Sequence, residues 1–146
     1  MTYVFDMDGT IANLYGVDGW LDSLICEDVK PYAEALPLVN MSRLARLIHK
    51  VQKRGDRVEI VSWLSKGGSA EYNARVTETK LNWLRKHLPS VTFDNIYIVT
   101  YGTPKSRVTK ATEAILFDDE ERNRNEFLHK GFAFTPDRIF EVMERN

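Results

Sequence analysis

Asp6 and Asp8, followed at once by Gly9 and Thr10, are the residues of this sequence best suited to chemistry. Side chains two apart on an extended backbone face the same side, so both carboxyl groups can address one ligand. Gly9 permits a tight turn and lets the backbone approach that ligand. A second acidic pair, Asp118-Asp119, and the separate Ser62 and Lys105 complete the set. Several carboxylate oxygens, few histidines and no cysteine pair describe a hard-cation site, best filled by Mg²⁺ with waters and a substrate phosphate. A lysine and a serine hydroxyl beside it would bind the remaining phosphate oxygens. An ionised aspartate close to a Mg²⁺-bound phosphate can act as a nucleophile and split hydrolysis into formation and breakdown of an aspartyl phosphate. Lys66 and Lys110 are alternatives to Lys105 for the phosphate-facing cation. A calcium loop beginning at Asp6 is excluded, since it requires glycine and glutamate where this chain has Ile11 and Val17.

These residues need elements that bring them to one place. Tyr3-Val4-Phe5 is nearly continuous and apolar, as suits a strand covered on both faces in a parallel sheet. Ligands of such sheets bind outside the carboxyl ends of the strands, where Asp6 and Asp8 fall. Arg57 to Ser62, Ile96 to Val99, Ala114 to Phe117 and Phe132 to Phe134 read as further strands, the second ending on Ser62 and the fourth on Asp118. Between them, Met41, Leu44, Leu47, Ile48 and Val51 mark a helix face that Asn40 or Ser42 can cap and Gly55 stops. Ser69 caps a long helix with Val76, Leu81, Leu84 and Leu88 inward, ended by Pro89. A short helix starts at Pro104, another runs through Phe127 and Leu128 to Gly131, and a last one spans about Pro136 to Glu144. Strands alternating with helices predict an α/β fold, a three-layer α/β/α Rossmann-like and mostly parallel sheet. Residues 13–40, punctuated by Gly16, Gly19, Pro31 and Pro37, form a small cap-like insertion with one short helix at Trp20, Leu21, Leu24 and Ile25.

With 146 residues, 43% of them hydrophobic, the chain is sized for a single domain, 1–146. A net charge of -1 gives no global field to recruit a polyanion, so nucleic acid is not the expected partner. The basic helix face of Arg43, Arg46, Lys50, Lys53 and Arg54 lacks interleaved aromatics and reads as a solvated surface. A lone cysteine, Cys26, allows no internal disulfide and suits a reducing compartment. No apolar run approaches the roughly 18 residues needed to span a bilayer. A soluble, cytoplasmic protein is expected. His49, His87 and His129 lie on helical segments near basic residues and read as surface positions.

Asp6-Met7-Asp8-Gly9-Thr10 resembles the first motif of the haloacid dehalogenase superfamily of phosphatases, the strand-ending Ser62 its second, Lys105 its third and Asp118-Asp119 its fourth, in family order. The resemblance implies that Asp6 is the nucleophile and that Asp8 protonates the leaving oxygen and then activates water. It implies that Ser62, the adjoining Trp63 and Lys105 hold the phosphoryl group. Mg²⁺ would be bound by Asp6, the backbone carbonyl of Asp8 and one of Asp118 and Asp119, with Asp119 favoured and the other orienting Lys105 or a metal-bound water. Within the superfamily, Asp8 to Leu14, Phe117 to Asn123 and the lysine upstream of Asp118 are similar to the small 5'(3')-deoxyribonucleotidases. That implies a nucleoside monophosphate or similar small phosphorylated substrate, with Tyr15, Trp20, Trp63 and Tyr101 available for stacking. A phosphatase of polynucleotide ends or phosphoproteins is the second enzymatic reading, and a non-catalytic binding module the third.

Overall fold

The computed structural model describes residues 1–145. Its centre is a five-stranded, wholly parallel sheet in the order β5-β4-β1-β6-β7, made of β1 (Thr2–Phe5), β4 (Arg57–Trp63), β5 (Asn95–Val99), β6 (Ala114–Phe117) and β7 (Phe132–Phe134). The register pairs Tyr3 with Val58 on one side and Ile115 on the other. From β1 the chain winds outward through β4 to β5, then returns to β6 on the other side of β1. The crevice between the carboxyl ends of β1 and β6 is therefore the switch point at which open α/β sheets bind ligands.

Two-residue alternation divides the strand side chains between two cores. Tyr3, Phe5, Val58, Ile60, Ile115 and Phe117 pack against α3 (Met41–Lys53), α4 (Ala70–His87) and α7 (Ile139–Arg145). Val4, Val61, Ala114 and Leu116 form the other core with Phe127 of α6 (Glu121–Phe127) and Val108 of α5 (Lys105–Val108). The three-layer α/β/α architecture expected from the strand–helix alternation is what the chain adopts. Asn40 caps α3, its side chain accepting from Arg43 N at 2.9 Å, and Ser69 caps α4, accepting from Tyr72 N at 3.1 Å. Each such cap stabilises its helix by about 1 kcal/mol.

The segment 13–40 is more ordered than its sequence implies. Besides α1 (Trp20–Ile25) it contains α2 (Lys30–Glu34), and the two-residue strands β2 (Ala12–Asn13) and β3 (Leu36–Pro37) pair antiparallel at its base. Pro31, one of the residues that punctuate this segment, sits at the start of α2, where its missing N–H costs nothing, and so begins a helix. Leu21 and Ile25, which have core-like spacing in the sequence, are largely exposed at 53% and 70% and line a cavity instead. The insertion is fastened along α4: Glu27 accepts from both the backbone and hydroxyl of Ser69, Tyr72 Oη donates to the Asp28 carbonyl, and Trp83 Nε1 donates to the Ala35 carbonyl at 2.7 Å. At the chain's end a 3-10 turn, Pro136–Arg138, precedes α7, which starts later than the periodicity suggests. No helix among the described residues is long and apolar enough to cross a membrane.

Candidate active site

Asp6 follows the last residue of β1, and Asp118 and Asp119 follow the last residue of β6, so parallel pairing of these neighbours delivers all three to one crevice. One carboxylate oxygen from each lies within 4.8 Å of the other two. Asp6 is gripped from two directions. Lys105 Nζ donates to its Oδ1 at 2.8 Å, and the buried hydroxyl of Thr10 donates to its Oδ2 at 2.9 Å. Thr10 is aimed there by the turn after β1, in which Gly9 adopts φ +82. A side chain on Gly9 would also run into the Asp119 carboxylate, so glycine is required for conformation and for space.

Of the three lysines considered for the phosphate-facing cation, Lys105 is the one brought into the crevice. It is 1% exposed and bridges Asp6 and Asp118, 2.8 Å from each. Lys66 is exposed at the cavity mouth, its ammonium 5.8 Å from the centre of the Tyr101 ring, and Lys110 lies at the opposite end of the sheet beside Met1 and Thr2. The acidic pair divides its tasks. Asp118 is fully buried and accepts from Lys105, from Asn123 Nδ2 and from the backbone N–H of Glu120, which leaves it little capacity for anything else. Asp119 lines the cavity and faces Asp6.

Charge follows this layout. Burial, reinforced by the Asp6 carboxylate, pushes the Asp118 carboxyl up to about 6 and that of Asp119 up to about 8. Burial alone would discourage the Lys105 ammonium, but Asp6 and Asp118 outweigh it and hold that cation firmly charged. Removing one partner of such a buried pair strands the other and costs about 3–5 kcal/mol.

Asp8 also lines the cavity, but its carboxylate is not part of the three-aspartate cluster. Its Oδ2 accepts from Lys80 Nζ at 2.9 Å. The same ammonium donates to Ser62 Oγ at 2.7 Å, and Ser62 is fully buried and does not line the cavity. Among the described residues, the serine that lines the cavity is Ser65. The phosphate contact expected of Ser62 thus finds its side chain turned to a lysine, because β4 continues through Trp63 and Ser62 faces the α4 side of the sheet. Burial raises the Asp8 pKa against the opposing pull of Lys80.

Lys80 escapes a reading of the sequence, since a lysine on a helix is ordinarily solvated. The available signal was its position on the α4 stripe of Tyr72, Val76 and Leu84, all buried. Tyr32 gives no signal of its own either, and Thr10 and Asn123 enter only as members of the motifs around Asp6 and Asp118, without a separate role.

Above the carboxylates opens a cavity of about 360 Å³. Tyr15, Trp20, Leu21 and Leu24 of the insertion form part of its wall, and Trp63 at the end of β4, with Leu64 and Tyr101 of the loops after β4 and β5, forms another part. Tyr15 and Trp20 meet edge to face at 4.9 Å between centroids, and Trp63 and Tyr101 are tilted at the same distance. Trp63 is fixed by its indole N–H, which donates to the Thr103 carbonyl at 2.8 Å. Its ring, rather than a polar group, is what it offers to the cavity.

The donor set suits Mg²⁺. It is all carboxylate oxygen, with none of the nitrogen or sulfur that would favour zinc. Asp6 and Asp119 also press two acidic groups together at the cavity floor, a repulsion that a divalent cation relieves.

No protein-family model matches this sequence, and a search of the curated proteins finds no match. Among solved structures the chain is similar to D,D-heptose 1,7-bisphosphate phosphatase from Burkholderia thailandensis, with a TM-score of 0.54 and 16% sequence identity over 90% of this chain and 74% of that one. At this identity the likeness is one of fold: the parallel α/β sheet is shared with a phosphatase.

Proposed function

We propose that this chain is a phosphatase of the haloacid dehalogenase superfamily, a Mg²⁺-dependent phosphomonoester hydrolase working through an aspartyl phosphate on Asp6. The observation that carries the reading is the Asp6 carboxylate itself, oriented by Lys105 and Thr10 at the switch-point crevice and open to a cavity large enough for a small metabolite. The fold shared with a phosphatase that acts on a sugar bisphosphate supports it.

In this reading a carboxylate oxygen of Asp6 attacks phosphorus and the bond to the leaving oxygen breaks, while Asp8, as the carboxylic acid, gives that oxygen its proton. Asp8 then takes a proton from water as the water oxygen attacks the phosphoryl group, which releases phosphate and restores Asp6. Burial suits Asp8 to this exchange by making its protonated form easier to populate. Lys105 neutralises charge gathering on the phosphoryl oxygens, and Asp118 keeps it aimed. Asp6 and Asp119, with the Asp8 backbone carbonyl, would hold Mg²⁺, which supplies electrostatic stabilisation of the phosphoryl oxygens.

The aromatic walls favour a substrate with a planar group, and a nucleoside monophosphate fits that requirement best. A phosphate-release screen over nucleoside monophosphates, sugar phosphates and 3'-phosphorylated oligonucleotides, with Mg²⁺ and with chelator, tests the reading. Release from none of them would end it. Replacing Tyr15 or Trp20 by Ala is expected to weaken turnover of the nucleotide by about 1–3 kcal/mol, the scale of base stacking on an aromatic ring. A small phosphate ester without a base should be turned over almost as before, because its phosphate is held at the sheet edge. Equal losses on both substrates would mean that the two rings only pack the insertion, and unchanged rates would move the base elsewhere.

A further inference from the structure

Lys80 is buried on α4, 1% exposed, and none of its ammonium protons is left for a substrate. They go to Asp8 Oδ2 at 2.9 Å, to Ser62 Oγ at 2.7 Å and to the Trp63 carbonyl at 2.7 Å. An apolar residue at this position would complete the stripe of Tyr72, Val76 and Leu84 without the desolvation that a buried charge suffers. The ring of Tyr32, from the insertion, covers the ammonium with its centroid 5.1 Å away. Lys80 thus ties the loop after β1 to the end of β4, beneath a cap segment that is itself fastened to α4.

We propose that Lys80 is a positioning residue for Asp8: it holds that carboxylate in the one orientation from which it exchanges a proton with the leaving group. The inference rests on Asp8 being the acid–base group of the reaction above. A phosphate oxygen has no claim on Lys80, so the residue acts through Asp8 and through the strand end that it anchors. General acid help matters most when the leaving group is a strong base and least when it leaves readily as an anion.

The test has two arms. The first compares Lys80→Met and Asp8→Asn on 2-glycerophosphate, whose alkoxide needs a proton, and on p-nitrophenyl phosphate, whose phenolate does not. Both variants are expected to lose about 10²-fold or more in kcat/KM on the alkyl ester and less than about tenfold on the aryl ester, because kcat/KM reports the steps up to departure of the leaving group and not the breakdown of the aspartyl phosphate, in which Asp8 serves both esters alike. Equal losses by Lys80→Met on the two esters, or none, would overturn the positioning role, because a packing defect does not read the leaving group. The second arm requires no activity. Thermal melts of Lys80→Met, Asp8→Asn and the double variant form a cycle in which the double variant should melt no lower than the worse single one, since each single change strands a buried partner. Additive losses would sink the Lys80–Asp8 link whatever the enzyme does. A coupled cycle in a wild-type protein that hydrolyses neither ester would instead leave the link standing and remove the phosphatase reading.

Discussion

Asp6→Asn is expected to lower phosphate-monoester turnover by about 10⁵-fold or more, the scale on which a covalent route collapses when its nucleophile is removed. The amide keeps the size of the carboxylate and can still meet Lys105 and Thr10, so the loss is chemical rather than architectural. Lys105 retains Asp118 at 2.8 Å and therefore is not stranded. Asp118 and Asp119 both lose the like charge that, after burial, most discourages their ionisation. The metal-free variant should accordingly melt at or above the temperature of the parent while forming no acid-stable, hydroxylamine-sensitive phosphoryl adduct. Turnover near the parental rate by a correctly folded Asp6→Asn protein would remove Asp6 from the nucleophile's place.

Chelation is expected to abolish turnover, and the stability conferred by Mg²⁺ should itself depend on pH. In the metal-free protein Asp118 and Asp119 have pKa values above their ordinary 3.8. Between roughly pH 4 and pH 8 the folded state thus holds protons that the unfolded chain has released, and stability falls as pH rises through that window. A divalent cation takes the place of those protons. Mg²⁺ should therefore raise the melting temperature more at pH 8 than at pH 5.5, by roughly 5–10 °C when present at a hundredfold excess over its dissociation constant. Calorimetric titration at neutral pH in buffers of differing ionisation enthalpy should register protons leaving as the metal binds. An equal shift at both pH values, or full activity in excess chelator, would contradict a Mg²⁺ site built on Asp6 and Asp119.

Local patterns in the sequence determined most of the scaffold. Apolar runs that stop on polar residues located four site-bearing segments, since a strand buried on both faces must be continuous and its first carboxylate marks where the core ends. Asp6, Asp8, Asp118 and Asp119 were legible for that reason, as were the caps Asn40 and Ser69, whose effect is confined to one helical turn. The three-layer parallel architecture followed from the alternation of strands with helices.

Tertiary structure alone decided how those side chains are paired. Nothing local distinguishes Lys105 from Lys66 or Lys110; the crossover from β5 to β6 carries Lys105 under Asp6 and Asp118 and leaves Lys110 at the far end of the sheet. Asp118 and Asp119 are neighbours in sequence, yet one is sealed among Lys105, Asn123 and the Glu120 amide while the other faces the cavity. Lys80 joins Asp8 across 72 positions of sequence and Ser62 across 18. A buried charge at a helix position is stable only where a distant carboxylate and distant oxygens converge on it, and that convergence is a property of the packed sheet and helix rather than of any stretch of chain. The same holds for Leu21 and Ile25, whose helical spacing is local but whose exposure toward the cavity depends on how Glu27, Asp28 and Ala35 fasten the insertion to α4.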